Sequence, residues 1–138
     1  MQIHPYLNFG GTCREAMTRY QQILGGRLDI MSMADMPGSD VPAEQAHLVM
    51  HAALMLGSYS IMASDDPSPT FEQGRSTYIN VTLDSVDEAE RVFRELADGG
   101  AVEMELTETF WTPRFGMCAD RFGVRWMANM AVPAIAED

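Results

Sequence analysis

Apolar positions change period along this chain in an order that occurs twice. From Ile3 to Phe9 apolar and polar residues alternate, the period of a strand with one buried face. Ala16, Met17, Tyr20, Ile23 and Leu24 then recur at helical spacing, with Thr12 placed as N-cap and Gly25-Gly26 as the stop. Arg27 to Met33 reads as a strand, and residues 34–46, carrying Pro37-Gly38 and Pro42, read as an exposed loop and candidate lid. His47 to Leu56 and Tyr59 to Ser64 pair as a hairpin across Gly57-Ser58.

The second copy starts at Thr77 to Leu83. Ser85 with Glu88 forms a capping-box pattern for a helix that turns Ala89, Val92, Phe93 and Leu96 inward and stops at Gly99-Gly100. Ala101 to Glu108 is a strand, Thr109-Phe110-Trp111-Thr112-Pro113 an aromatic turn, and Phe115 to Ala119 with Val124 to Met130 a hairpin around Asp120 to Gly123. The expectation is an α+β chain of two βαβββ modules, about 1–66 and 76–131, joined by a linker at about 67–75. Residues 132–138 form an acidic, frayed tail. Two such modules are expected to share one domain over 1–138 and to close around a concave surface at their junction, where function is sought.

Composition narrows the function classes. The 138 residues carry 20 acidic and 9 basic side chains, a formal charge of -11. That balance opposes a polyanionic partner, so no nucleic acid is expected. No apolar run reaches the roughly 20 residues of a membrane helix, and no basic-then-apolar leader starts the chain, so a cytoplasmic protein away from membranes is expected. Cys13 and Cys118 form no C-x-x-C pair and read as small packing residues. The 12 methionines suit adaptable apolar surfaces as well as cores.

Several blocks carry a resemblance. Pro5-Tyr6-Leu7 with Phe9, the helix end from Tyr20 to Gly26, Met50-His51-Ala52, Met62 to Asp65, Glu108-Thr109-Phe110-Trp111, Phe115-Gly116 and Asp120 to Met127 together resemble the PhnB-like branch of the vicinal oxygen chelate superfamily. That superfamily includes glyoxalase I, bleomycin-resistance proteins and extradiol dioxygenases. The resemblance implies paired βαβββ modules, an open eight-stranded barrel-like cavity and a homodimer. It implies no particular reaction, because one fold hosts many functions.

Superfamily enzymes hold a divalent metal with four side chains, from the first and last strand of each module. Alignment on the helix ends and hairpins places those positions at Pro5, Met62, Tyr78 and Met127. Thioethers are soft donors, unsuited to the hard or borderline ions the superfamily uses, so no metal and no cofactor are expected. A shift by one residue would offer His4, but such a slip reverses the face of a strand. His47 and His51 lie about 13 Å apart along a strand, too far to share an ion, and read as sheet or interface residues.

If Pro5, Met62, Tyr78 and Met127 point inward, alternation sends Ile3, Leu7, Ser60, Ser64, Asn80, Thr82, Arg125 and Asn129 inward too. The expected ligand-binding lining is then Met62, Tyr78, Asn80, Phe110, Trp111, Arg125, Met127 and Asn129, mostly apolar with a few fixed polar groups. Phe110 and Trp111 either close the mouth by stacking on a ligand or pack on a dimer partner. Arg125 either forks onto a carboxylate or phosphate of a ligand, or pairs with an acid of the chain. Asp65 and Asp66, before Pro67, read as turn-bonding carboxylates rather than general acids. No catalytic residue can be assigned, and no phosphate-binding glycine loop is present.

The leading expectation is a metal-free homodimer that binds an unidentified small organic molecule. The alternative is a metal-dependent lyase, isomerase or dioxygenase of the superfamily's kind. A demethylubiquinone methyltransferase label often goes with this branch, but no S-adenosylmethionine loop accompanies it here.

Overall fold

A computed structural model describes residues 1–38 and 40–131. The chain divides into two compact units, Met1–Gln73 and Gly74 onward, with the boundary inside the expected linker. The acidic tail expected at 132–138 lies outside the described residues, as does Ser39 in the expected lid loop.

In the first unit, strand β1 (Tyr6–Phe9) leads to helix α1 (Cys13–Leu24), then to β2 (Arg27–Ser32), β3 (Val49–Leu56) and β4 (Tyr59–Asp65). The four strands form one sheet in the order β1-β4-β3-β2, with β1 parallel to β4 and the other pairs antiparallel. In the second unit, β5 (Tyr78–Leu83) precedes α2 (Val86–Ala97), β6 (Ala101–Thr107), β7 (Phe115–Ala119) and β8 (Arg125–Met130). Their order, β5-β8-β7-β6, repeats the first. The α+β class and the doubled βαβββ order are as the sequence pattern predicts, built as two four-stranded sheets rather than a closed barrel. No helix among the described residues is long and apolar enough to cross a membrane.

Each helix covers one face of its sheet. Ala16, Met17, Tyr20 and Ile23 of α1 are buried with Phe9, Leu54, Ile61 and Ala63, and Ala89, Val92, Phe93 and Leu96 of α2 with Trp126, Ala128 and Cys118. Both cysteines are fully buried, the packing role expected of them. Burial, reinforced by the adjacent Asp65 carboxylate, pushes the Cys13 thiol up to about 12, and burial with Asp120 pushes Cys118 up to about 11.

Two details depart from the local reading. Thr12 makes no side-chain capping bond. The carboxylate of Asp65, at the end of β4, does the work instead, accepting from Gly11 N and Cys13 N at 3.0 Å. A longer-range carboxylate displaces a short hydroxyl here because it also satisfies Val49 N, at 2.9 Å, so one buried charge serves three backbone donors. His47 lies in a turn before β3 rather than on that strand. The loop after β2 is mostly exposed but contains two short helical turns, Met33–Asp35 and Ala43–Gln45. Its ends are tied by Met33 N to Leu48 O at 2.8 Å.

Candidate functional site

The face of each sheet turned away from its helix carries the chain's chemistry. On the first sheet, register pairs Tyr6 with Met62 and Asn8 with Ser64, and Ala53 with Met62. Alternation then sets His4, Tyr6 and Asn8 beside Ser60, Met62 and Ser64, with His51 and Met31 across β3 and β2. The side chains confirm this grouping. His4 Nδ1 and Ser60 Oγ are 2.9 Å apart, Ser64 Oγ donates to Asn8 Oδ1 at 3.2 Å, and Tyr6 Oη meets His51 Nδ1 at 3.4 Å.

This corrects the sequence reading of the first strand. Pro5, Ile3 and Leu7 do not share the face of Met62; His4 and Tyr6 do. The offset that maps Gly25-Gly26 onto Gly99-Gly100 maps His4 onto Tyr78 and Tyr6 onto Asn80. Setting Pro5 against Tyr78 broke that offset by one residue, which turns every side chain of a strand over. The same register puts His51 on the open face, in a tilted ring contact with Tyr6 at 5.9 Å.

The second sheet groups five of the eight expected lining residues on one face. Register pairs Tyr78 with Arg125, Asn80 with Met127 and Thr82 with Asn129, and Met127 with Met117. Two polar clusters flank the Met127 thioether. At one end Tyr78 donates its hydroxyl to Glu103 Oε2 at 2.5 Å, and Arg125 forms an ion pair with Glu103. The Arg125 guanidinium also reaches Tyr78 Oη at 3.4 Å and stands 5.9 Å from that ring's centroid. At the other end Asn129 Nδ2 donates to Asn80 Oδ1 at 3.1 Å, and Asn80 Nδ2 to Thr82 Oγ1 at 3.5 Å. Of the two readings of Arg125, the pair with an acid of the chain is the one formed.

Met62, the sixth expected residue, belongs to the first sheet's open face. Phe110 and Trp111 lie in the turn before β7, 98% and 48% exposed. Their rings meet edge-on at 4.8 Å, and Trp111 meets Phe115 at 5.4 Å. Phe115 pairs with Asn129, so this aromatic group borders the Asn80–Asn129 end of the face.

Glu103 is the residue that sequence reasoning missed. Simple alternation along β6 groups Val102 with Met104, but Val102 pairs with Cys118 and Met104 with Met117, on opposite faces, across a register shift. Ala101 pairs with Ala119, which pairs with Arg125, so alternation from Ala101 sets Glu103 on the Arg125 face, and the register shift adds Met104 to it. Two signals were available: that alternation, and Arg125 itself, an inward cation in need of an acid.

The donor set does not fit a hard divalent ion. Met62 and Met127 offer thioethers, and His4, which takes the place expected of Pro5, has Nδ1 engaged with Ser60 Oγ at 2.9 Å and Nε2 with Gln2 Oε1 at 3.3 Å. The Tyr78 hydroxyl is engaged with Glu103 and lies beside a guanidinium, whose positive charge repels a metal cation. Among the described residues no three His, Cys, Asp or Glu side chains are grouped to hold an ion.

The buried carboxylates are occupied as well. Asp65 serves the three amides named above, none of them in the turn at Pro67 where its bonding was expected, whereas the less buried Asp66 accepts from Ser68 N at 2.8 Å, the turn-bonding role expected of it. Asp120 accepts from Phe122 N at 2.9 Å, Val124 N at 3.0 Å and Trp126 Nε1 at 2.9 Å.

Comparison with known proteins agrees with this architecture. Residues 1–128 match the family model described as 3-demethylubiquinone-9 3-methyltransferase. Protein YjdN of Escherichia coli is 35% identical, over 94% of this chain and 95% of its own. The solved structure of protein PA1353 from Pseudomonas aeruginosa is 47% identical, with a TM-score of 0.82 over 94% of this chain and 97% of that one. A PhnB protein from Bacillus cereus is 27% identical, with a TM-score of 0.77 over 95% and 100%. In fold alone the chain also resembles the fosfomycin resistance protein FosX of Listeria monocytogenes, solved with Mn(II). That likeness is 13% identity and a TM-score of 0.66 over 96% and 93%.

Proposed function

The chain belongs to the PhnB-like branch of the vicinal oxygen chelate superfamily, the family whose model is described as 3-demethylubiquinone-9 3-methyltransferase, and from that premise we propose a metal-independent binding protein. In this reading it captures a small, partly apolar organic molecule on its open sheet faces and works as a homodimer.

The observation that carries the reading is the Met127 thioether set between two polar clusters on the second sheet, where superfamily enzymes would require a hard ligand. An apolar centre with fixed polar groups at its rim is the make-up of an organic-ligand site. Met127 and Met117, paired across β8 and β7, supply adaptable surface. Exposed Ile3, Tyr59 and Phe110, at 88%, 77% and 98%, offer apolar surface for a second copy to cover.

A methyltransferase reading has less support. The β1–α1 turn is where a nucleotide-type cofactor would use helix N-terminal amides. Here the Gly11 and Cys13 amides are bonded to Asp65, and Gly10 faces the Phe71 ring, which an added Cβ would meet at 2.7 Å.

Native mass spectrometry and elemental analysis of untagged protein test the proposal. The expected result is a dimer with substoichiometric metal that carries or takes up an organic molecule, with Met127→Ala lowering that uptake and leaving metal content unchanged. Near-stoichiometric Zn, Ni, Mn or Fe that disappears in Met127→Ala would replace the proposal with the metal-dependent lyase, isomerase or dioxygenase reading.

A further inference from the structure

We infer that Glu103 is a specificity-determining residue, restricting the second sheet's open face to neutral planar ligands with a hydrogen-bond acceptor at one end and a donor at the other. The inference rests on the binding reading above and adds the chemical class of the ligand.

An inward arginine alone would select a carboxylate or phosphate. This one is already in an ion pair with Glu103, whose other oxygen takes the Tyr78 hydroxyl. The pair is largely shielded, with side-chain exposures of 21% for Arg125 and 26% for Glu103, so its charges are weakly screened by solvent. An incoming anion would meet the Glu103 carboxylate at the same guanidinium and would have to displace it. A neutral acceptor meets no such repulsion.

Two atoms define what such a ligand presents. Arg125 Nε and Asn129 Oδ1 are shielded from water and have no hydrogen-bond partner, a state that costs free energy until a partner arrives. The first is a donor and the second an acceptor. They belong to residues four apart on β8, on the same face and about 13 Å apart along the strand. That backbone spacing leaves room over Met127 for a fused two-ring molecule with a hydrogen bond at each end. Met127 stands between them, and its flexible thioether can turn to lie on the rings. The ligand class is therefore a neutral bicyclic arene with a carbonyl toward Arg125 and a hydroxyl or amino group toward Asn129.

The test uses three probes: naphthalene, a hydroxynaphthamide with its hydroxyl on the ring distal to the amide, and the matching hydroxynaphthoate, each titrated calorimetrically against the full chain. The wild type is expected to bind the amide at least tenfold more tightly than the carboxylate. Glu103→Gln, on an exposed edge strand, keeps hydrogen-bonding capacity but frees the guanidinium charge, and is expected to raise hydroxynaphthoate affinity at least tenfold. Arg125→Lys, which keeps the positive charge but removes Nε, and Asn129→Leu are each expected to weaken the amide at least fivefold, with naphthalene little changed.

Equal or tighter binding of the carboxylate by the wild type, or an unchanged ranking in Glu103→Gln, overturns the inference while leaving the binding reading intact. Wild-type amide affinity in both Arg125→Lys and Asn129→Leu overturns the assignment of the two atoms. Failure of all three probes to bind overturns this inference, while the binding reading stands or falls on the native mass spectrometry above.

Discussion

Replacing Asp65 by alanine tests whether one buried carboxylate holds the first unit's strand-to-helix turn. Its two oxygens accept from Gly11 N and Cys13 N at 3.0 Å and from Val49 N at 2.9 Å, so they join the start of α1 to the start of β3. Asp65 is 5% exposed, and no backbone acceptor replaces it when the side chain is cut back. The bonds to Cys13 and Val49 are buried, whereas the Gly11 amide is part-buried and regains water. Two buried donors left without acceptors at about 1–3 kcal/mol each give an expected destabilisation of ~4 kcal/mol, with the Gly11 amide adding little. That is a large effect for one substitution. Asp66→Ala is the control, because its bond to Ser68 N is exposed, and a loss under ~1 kcal/mol is expected there. Urea unfolding gives the magnitude, and amide hydrogen exchange locates it: the Cys13 and Val49 amides should lose protection together. A loss below ~1 kcal/mol in Asp65→Ala, with both amides still protected, would refute the reasoning from unsatisfied buried donors.

Two further predictions concern the thiols and a glycine. With thiols raised to about 12 for Cys13 and about 11 for Cys118 by burial, native protein should resist iodoacetamide at pH 8 and react at both cysteines only once unfolded. Because the folded values lie above the ordinary thiol value of 9.0, the folded state keeps its protons longer. This contribution to stability is therefore full below about pH 9 and falls as pH rises toward 11–12, which urea unfolding across that window would show. Gly26→Ala should cost at least ~2 kcal/mol, since it combines a left-handed backbone with a blocked position: φ is +87 and an added Cβ would stand 2.3 Å from Met55 O. Gly57→Ala, with φ +64 and open space around it, should cost only ~1 kcal/mol by unfolding titration.

Much of the fold was legible because its determinants are local and repeated. Helical spacing of Ala89, Val92, Phe93 and Leu96 and the Ser85 cap sufficed for α2, where Ser85 Oγ accepts from Glu88 N at 3.2 Å. The cap of α1 was not legible in the same way. Its acceptor comes from Asp65, more than fifty positions away in sequence, and no local pattern distinguishes a Thr12 that caps from one that does not. Tertiary satisfaction of backbone donors overrode a local preference.

For the site, the sequence determined which residues stood on β5 and β8 but not what they did to one another. Module alignment placed Tyr78 and Met127, and alternation from them grouped Asn80, Arg125 and Asn129 on the same face, because the β5–β8 register is regular. It failed at β1, where a one-residue offset between the modules exchanged Pro5 for His4, and it was not carried to β6, where alternation from Ala101 sets Glu103 on the face of Arg125. Neither miss came from an irregular register at the residue concerned: β1 pairs with β4 without a shift, and a one-residue error in matching the modules is enough to reverse a strand's faces. The consequence for function is specific. Strands β5, β7 and β8 supply the apolar surface and its hydrogen-bonding residues, and the acid that pairs with Arg125 comes from β6. On the proposed binding role, a related chain that keeps Arg125 and Met127 but lacks the acid at position 103 should present an unpaired guanidinium and favour anionic ligands.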